Sequence, residues 1–336
     1  MPSESSPQDD RNTERKRRKF SSPDGRNVKW RLYTGATTFR KQDRVYVRPK
    51  SAREKGVAGR LIERLNDRKW KLRSDDHNEV LIVYENRMIP ILSFPKTENH
   101  EKDPLSIIIT AATKHYRQLA ASQLCPQDAV LEIGCSTGET SEIIWNRASS
   151  WIGWDTSAEM TERTMSKHSS SCHRVCQKMN ALSEPALAYQ TVHQHQPATT
   201  AVWMDIGGNR DMNGVARMLH WILTSPFPAL RLIVVKSEEL VRELSSVPVN
   251  SEGILQMDGM EFLNQKRLEF CRLPRHPQQA PKVYSPTDPS LPICRYHNYH
   301  KKGCGKGSDC PFDHVHCHMC LEAGHVAMNC TKLTFD

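Results

Sequence analysis

The chain has 336 residues, 38% of them apolar and 25% charged, with a net charge of +9. No apolar run approaches the ~20 residues of a membrane span. The opening MPSESSPQDD is polar and acidic, unlike a secretory leader. A nuclear or cytoplasmic protein without membrane contact is expected, and the length accommodates two or three domains. Eleven cysteines are too few for a disulfide scaffold, and six fall between Cys294 and Cys330 among histidines. That clustering is the pattern of metal ligands in a reducing compartment.

Residues 11 to 60 hold 17 Lys and Arg against 4 Asp and Glu, so the positive charge is concentrated near one end. Residues 1–27 carry almost no apolar content and read as a disordered basic arm. Within it, Arg15-Lys16-Arg17-Arg18-Lys19 fits a nuclear import patch as well as a solvated tail. Between 40 and 93, DRVYV, KWKLR, NEVLIVY and RMIPIL alternate at period two between glycine and Asn/Asp turns, predicting five short strands in a small β-barrel. The strand DRVYV followed by a glycine-led second strand resembles the Tudor and KOW barrels. That resemblance implies peptide or RNA binding, and a scaffold barrel without a ligand is the competing reading. Trp70 suits either a ligand contact or the core.

From 101 to 275 strand and helix alternate. Leu105, Ile108, Ile109, Ala112, Tyr116 and Leu119 have helical spacing. AVLEI then predicts a buried strand, followed by WIGW ending at Asp155, RVCQKM ending at Asn180, AVWM ending at Asp205 and RLIVV ending at Lys236, with helices between. This rhythm implies right-handed crossovers and a parallel sheet. Ligands of such sheets collect outside the carboxyl ends of the strands, where Gly134, Asp155, Asn180, Asp205 and Lys236 fall. Asp155 lies 21 residues after Gly134, the spacing of an acid that accepts from ribose hydroxyls.

V-L-E-I-G-C-S-T-G followed by W-I-G-W-D resembles the class I S-adenosylmethionine-dependent methyltransferases, and implies an α/β, Rossmann-like sheet. The resemblance implies that Glu132, Gly134, Ser136 and Gly138 hold the amino-acid part of S-adenosylmethionine. It also implies Asp155 at the ribose and Asn180 at the adenine. Glu139 fails the third glycine of a nicotinamide fingerprint. GCSTG also satisfies the G-x-S-x-G nucleophile elbow of hydrolases, although it sits on the first sheet strand rather than after several.

Asp205 and Lys236, at two strand ends, resemble the arrangement of FtsJ- and fibrillarin-type ribose methyltransferases, with Lys114 near the place of a further lysine. Asp205, Lys236 and Lys114 are therefore the candidate catalytic residues, and Asp205 counts among the cofactor contacts as well. The S-R-x-x-E signature of those families is missing.

Six prolines between 274 and 292 predict a stiff linker. Residues 293–331 then carry two ligand sets. Cys294, Cys304, Cys310 and His314 are spaced C-x9-C-x5-C-x3-H, and Cys317, Cys320, His325 and Cys330 are spaced C-x2-C-x4-H-x4-C. Each set closes a tetrahedral zinc site, so two zinc ions are expected. The first set resembles a CCCH zinc finger and the second a CCHC zinc knuckle. Both families imply binding of single-stranded RNA, here with Tyr296, Tyr299 and Phe312 as stacking platforms and Lys301, Lys302 and Lys306 for phosphates. The expected function is methyl transfer from S-adenosylmethionine to RNA held by the fingers. The alternatives are an inactive RNA-binding adaptor, or a protein methyltransferase whose fingers bind protein partners.

Overall fold

A computed structural model describes residues 27–51, 54–93, 104–167, 174–196, 198–206, 212–270 (side chains to 266), 277–280, 282–318 and 321–329. The basic arm with Arg15–Lys19, and the ligands Cys320 and Cys330, lie outside the described residues.

β1 (Val28–Leu32) starts the large sheet, and the chain then leaves it. β2 (Arg44–Val47), β3 (Val57–Asn66), β4 (Lys69–Ser74), β5 (Val80–Tyr84) and β6 (Met88–Pro90) form a separate antiparallel sheet in the order β5-β4-β3-β2-β6. Alternate residues point to one side of each strand, and Val45, Val47, Leu61, Trp70, Leu72, Val83 and Met88 make a core there. Trp70 is 4% exposed and donates its indole N–H to Glu85 Oε1 at 2.9 Å. It is a core residue with a satisfied polar tip.

The chain returns through β7 (Leu105–Thr110), which pairs in parallel with β1, Val28 opposite Leu105. The helical spacing read across 105–119 therefore fails for its first part. All six residues of β7 are buried, because a strand inside a parallel sheet is covered on both faces and shows a continuous apolar run. The helix, α1 (Thr113–Gln123), begins three residues later.

Beyond it come β8 (Ala129–Ile133), α2 (Glu139–Trp145), β9 (Ser150–Asp155), α3 (Ala158–Ser166), β10 (Arg174–Lys178), α4 (Pro185–His195), β11 (Ala201–Met204), α5 (Met212–Thr224), β12 (Leu232–Lys236), α6 (Glu238–Leu244) and α7 (Gly259–Phe270). The seven strands are ordered β1-β7-β12-β11-β8-β9-β10, and every pair is parallel. It is a parallel α/β sheet, with helices carrying the chain from strand to strand. Its strand order reverses between β8 and β11, the switch point at which such sheets bind ligands.

Trp154, Met204, Leu219 and Trp221 pack on one face of the sheet. Trp151, Trp203 and Tyr116 pack on the other, together with Tyr46 and Ile89 of the small sheet. The small sheet is thus joined to the large one through a shared core. Gln123 reinforces the joint. Its Oε1 accepts from the N–H groups of Leu92 and Ser93 at 2.7 and 3.1 Å, and its Nε2 donates to the Pro90 carbonyl at 2.8 Å. Beside it, just before β8 and β12, the guanidinium of Arg231 donates to the Gln123 carbonyl at 3.0 Å and forks onto both carboxylate oxygens of Asp128. The pair is 7% and 1% exposed, and removing one partner would strand a buried charge at a cost of about 3–5 kcal/mol.

The C-terminal unit is built around α8 (Arg295–Tyr299). Upstream of it, Tyr284 bridges Pro292, and the N–H of Ile293 bonds the Val283 carbonyl at 2.8 Å. The described part of the proline-rich stretch is therefore hydrogen-bonded into this unit. Asn298 is fully buried at its centre. Its Nδ2 donates to the carbonyls of Cys294 and His316 at 3.2 and 3.3 Å, and its Oδ1 accepts from the N–H groups of His318 and Ala327 at 2.9 and 2.8 Å.

Candidate functional site

The turn after β8 is shaped by backbone geometry. Gly134 and Gly138 have φ of 85° and 84°, and Ser136 adopts 48° between them. At Gly134 a Cβ would come within 1.9 Å of the Asp205 carbonyl oxygen. Its glycine is required for the close approach of the β8 and β11 ends, where the Asp205 N–H also bonds the Ile133 carbonyl at 2.9 Å. Gly138 is the N-cap of α2, and a Cβ there would come within 3.1 Å of the Thr164 side chain of α3.

Asp155, at the end of β9, clamps this turn to its own. Its Oδ2 accepts from the Ser136 N–H and its Oδ1 from the Ser157 N–H, both at 2.9 Å. A carboxylate has about four acceptor sites, so each oxygen keeps capacity for a hydroxyl. Glu132 is only 1% exposed, and its Oε2 accepts from Ser141 Oγ at 2.7 Å and Trp151 Nε1 at 2.8 Å. Burial pushes its carboxyl up to about 7 against the pull of those two bonds. It ties β8 to α2 and β9 from inside the core. Asn180 is exposed, and its Oδ1 accepts from the N–H groups of Leu182 and Ser183 at 3.2 and 3.4 Å. That oxygen is engaged within its own turn, and the strand before it ends at Lys178.

Lys236 Nζ lies 2.8 Å from Asp205 Oδ2, with each side chain 25% exposed. They border a cavity of about 240 Å³ lined also by Ala111, Ala112, Thr113, Val215, Ser237 and a second acid, Glu238. The cavity opens at the carboxyl ends of β7, β11 and β12. Lys114 sits on the first turn of α1 beside Thr113, but its side chain is exposed and does not line the cavity.

Two groups near the cleft carried no sequence signal. Tyr116 is buried on α1, and its hydroxyl has no hydrogen-bond partner among the described residues. Burial first, then the charges of Glu132 and Asp205, push its phenol well up. Cys135 Sγ lies 3.5 Å from Cys176 Sγ. The hydrogen bond to Cys176, followed by burial, raises the Cys135 thiol, so it stays protonated at neutral pH. In sequence Tyr116 is one more apolar position, and the two cysteines are 41 residues apart.

In the C-terminal unit the ligand atoms of Cys294, Cys304, Cys310 and His314 all lie within 4.8 Å of one another. The Sγ atoms of Cys294 and Cys310 are 3.7 Å apart. That is close to the edge of a tetrahedron with metal–sulfur bonds of about 2.3 Å. The Nε2 of His314 is buried with no hydrogen-bond partner among the described residues. These residues fit zinc, and His297 stacks on the His314 ring at 4.4 Å. Of the second set, Cys317 is fully buried, and its N–H bonds the Glu322 carbonyl at 2.8 Å. Gly324 precedes His325 at φ 94°. Among the expected stacking residues, Phe312 and Tyr296 are 45% and 37% exposed. The hydroxyl of Tyr299 is engaged with His318 Nδ1 at 2.9 Å.

No protein-family model and no curated protein matches the chain. Solved structures similar to it include the 23S rRNA methyltransferase ErmE, at 15% identity over 40% of this chain and 50% of that one, TM-score 0.28. Aeropyrum pernix fibrillarin with natively bound S-adenosyl-L-methionine is 12% identical over 61% and 86%, TM-score 0.29. The YcgJ protein of Bacillus subtilis is 15% identical over 47% and 67%, TM-score 0.27. The chain thus spans half the length of the ErmE chain.

Proposed function

We propose that the chain transfers a methyl group from S-adenosylmethionine to a ribose hydroxyl of RNA. The observation that carries this reading is the Lys236–Asp205 pair, 2.8 Å apart in a cavity at the sheet's switch-point edge. The pair stands on the same edge as the Asp155 carboxylate, which two backbone N–H groups hold in a fixed orientation. Asp155 would hold the ribose of the cofactor, and the turn from Gly134 to Gly138 its amino-acid end. When bound, S-adenosylmethionine supplies a methyl group activated on a sulfonium.

The protein's own task is to place and polarise the acceptor. Asp205 aims Lys236, accepting a hydrogen bond from its Nζ at 2.8 Å. The ammonium has donors left over for the target hydroxyl, and stabilises the negative charge that develops on its oxygen. The Asp205 carboxylate accepts the hydroxyl proton as the oxygen–methyl bond forms and the methyl–sulfur bond breaks, the electron pair leaving on a neutral thioether. Zinc, held by Cys294, Cys304, Cys310 and His314 and a second time by Cys317, Cys320, His325 and Cys330, would supply the C-terminal unit's folding energy. Phe312 and Tyr296 then offer π-faces to unpaired bases.

The test is incubation of the full chain with methyl-tritiated cofactor and total cellular RNA or total protein, followed by digestion. Label in a ribose-methylated nucleoside is expected. Label confined to protein, or to a base, would refute the assignment.

A further inference from the structure

A second cavity, of about 670 Å³, lies between the small sheet and the free edge of the large one. Arg31, Arg40, Arg44 and Arg60 line it against two acids, Asp43 and Glu252. Both acids are already engaged. Asp43 Oδ2 accepts from the Arg40 backbone N–H at 2.7 Å, and Glu252 lies 3.8 Å from Lys29. Arg31 donates to the Leu92 carbonyl at 2.6 Å, and Arg44 forks onto Asp75. The side chains of Arg40 and Arg60 are exposed and make no hydrogen bond or ion pair among the described residues. The wall is therefore net positive, with two guanidinium groups open to a ligand.

The strand register supplies an independent observation. Arg44 is directly opposite Arg60, and Arg60 directly opposite Arg73. Directly opposed residues share a face, and like charges so placed destabilise a sheet. Only Arg44 has an acidic partner; Arg73, like Arg60, has none among the described residues. Along the same face Lys69 opposes Tyr84, and Lys71, which is ion-paired with Glu63 at 2.7 Å, opposes Ile82, with Ile82 63% and Tyr84 44% exposed. Cations alternating with apolar and aromatic surface match a strand of regularly spaced phosphates with unstacked bases.

The position fits as well. The cavity starts where Arg31, Leu32 and Tyr33 leave β1, on the carboxyl edge from which Lys236 leaves β12. β7 alone separates those two strands, a distance of about 10 Å at ~4.8 Å per strand.

We propose that this cavity and the arginine row beside it bind the phosphodiester backbone of single-stranded RNA flanking the methylated nucleotide. The proposal rests on the RNA reading above and adds where the strand runs. It is tested by anisotropy of a fluorescein-labelled single-stranded oligoribonucleotide with the full chain, without cofactor, across a salt series. Arg60→Gln combined with Arg73→Gln should weaken binding about tenfold at moderate salt. The slope of log affinity on log salt should fall by about 1.4, at ~0.7 per phosphate contact on a single strand. Relief of the like-charge row should leave the thermal midpoint unchanged or higher, which separates this outcome from misfolding. A folded double variant with wild-type affinity and slope overturns the proposal, as does a variant that loses polyglutamate binding but keeps RNA. Wild-type protein that binds RNA with the expected slope but methylates none of it refutes the catalytic reading and sustains this one.

Discussion

The backbone N–H of Ser136 meets Asp155 Oδ2 at 2.9 Å, so one carboxylate ties the turn after β8 to the turn after β9. The contact holds Ser136 in the left-handed region, at φ 48°, which a residue with a Cβ adopts only at a cost. Asp155→Ala removes this clamp and the expected ribose acceptor together. Cofactor affinity by titration calorimetry should fall about 10- to 100-fold, the scale of losing one or two charge-assisted hydrogen bonds. An unchanged dissociation constant would sink the ribose assignment.

At the neighbouring strand ends, Lys236→Met should lower kcat about 10²- to 10⁴-fold while cofactor affinity stays within about twofold. Methionine preserves the stem's packing and removes only the charge. A variant that still turns over at the wild-type rate would place the acceptor elsewhere in the cleft.

Glu132 makes stability pH-dependent in a direction opposite to an ordinary surface carboxylate. Its folded value of about 7 lies above the usual carboxylate range, so between roughly pH 4.5 and 7 the native state binds more protons than the unfolded one. Stability from this group is complete below pH 4.5 and declines as pH rises through 7. Glu132→Gln keeps an acceptor for Ser141 and Trp151 and removes the titration. Denaturant midpoints measured from pH 5 to 8 should fall less steeply in the variant; parallel profiles would show that Glu132 does not titrate in this window.

The zinc assignment predicts that a chelator releases two ions per chain, read with a chromogenic metal indicator, while the circular dichroism of the sheet region persists. Release of one ion or none contradicts the paired sites. Asn298→Ala should loosen both halves at once, because its amide joins Cys294 and His316 on one side to His318 and Ala327 on the other. Each buried backbone group left unsatisfied costs about 1–3 kcal/mol. Limited proteolysis should then cut on both sides of α8; protection of either half would show that the two are independent.

The strands β8, β9, β11 and β12 were legible because each is a short, mainly apolar run with a glycine or polar residue at or just after its carboxyl end, whereas β10, Arg174–Lys178, is mostly polar. The clustering of Cys294, Cys304, Cys310 and His314 was legible because closely spaced cysteines and histidines in a short segment are a local pattern. The run from Leu105 misled because a strand buried on both faces and an apolar helix face look alike over six residues. Glu132 and Asn180 carry residue types suited to a cofactor, but whether such a group faces the cleft depends on its neighbours. Trp151 reaches Glu132 from the adjacent strand, and Leu182 and Ser183 fold back onto Asn180.

From its order of residues alone this chain commits to a parallel α/β sheet, a run of short antiparallel strands read as a small barrel, and a C-terminal cluster of cysteines and histidines at ligand spacing, since those follow from local periodicity and spacing. Only the tertiary structure brings Val28 beside Leu105, makes the small sheet an insertion within the large one, and aligns Arg44, Arg60 and Arg73 in a single row. Period two tells which face of a strand a residue occupies. Which strand lies next to it is set by long-range packing.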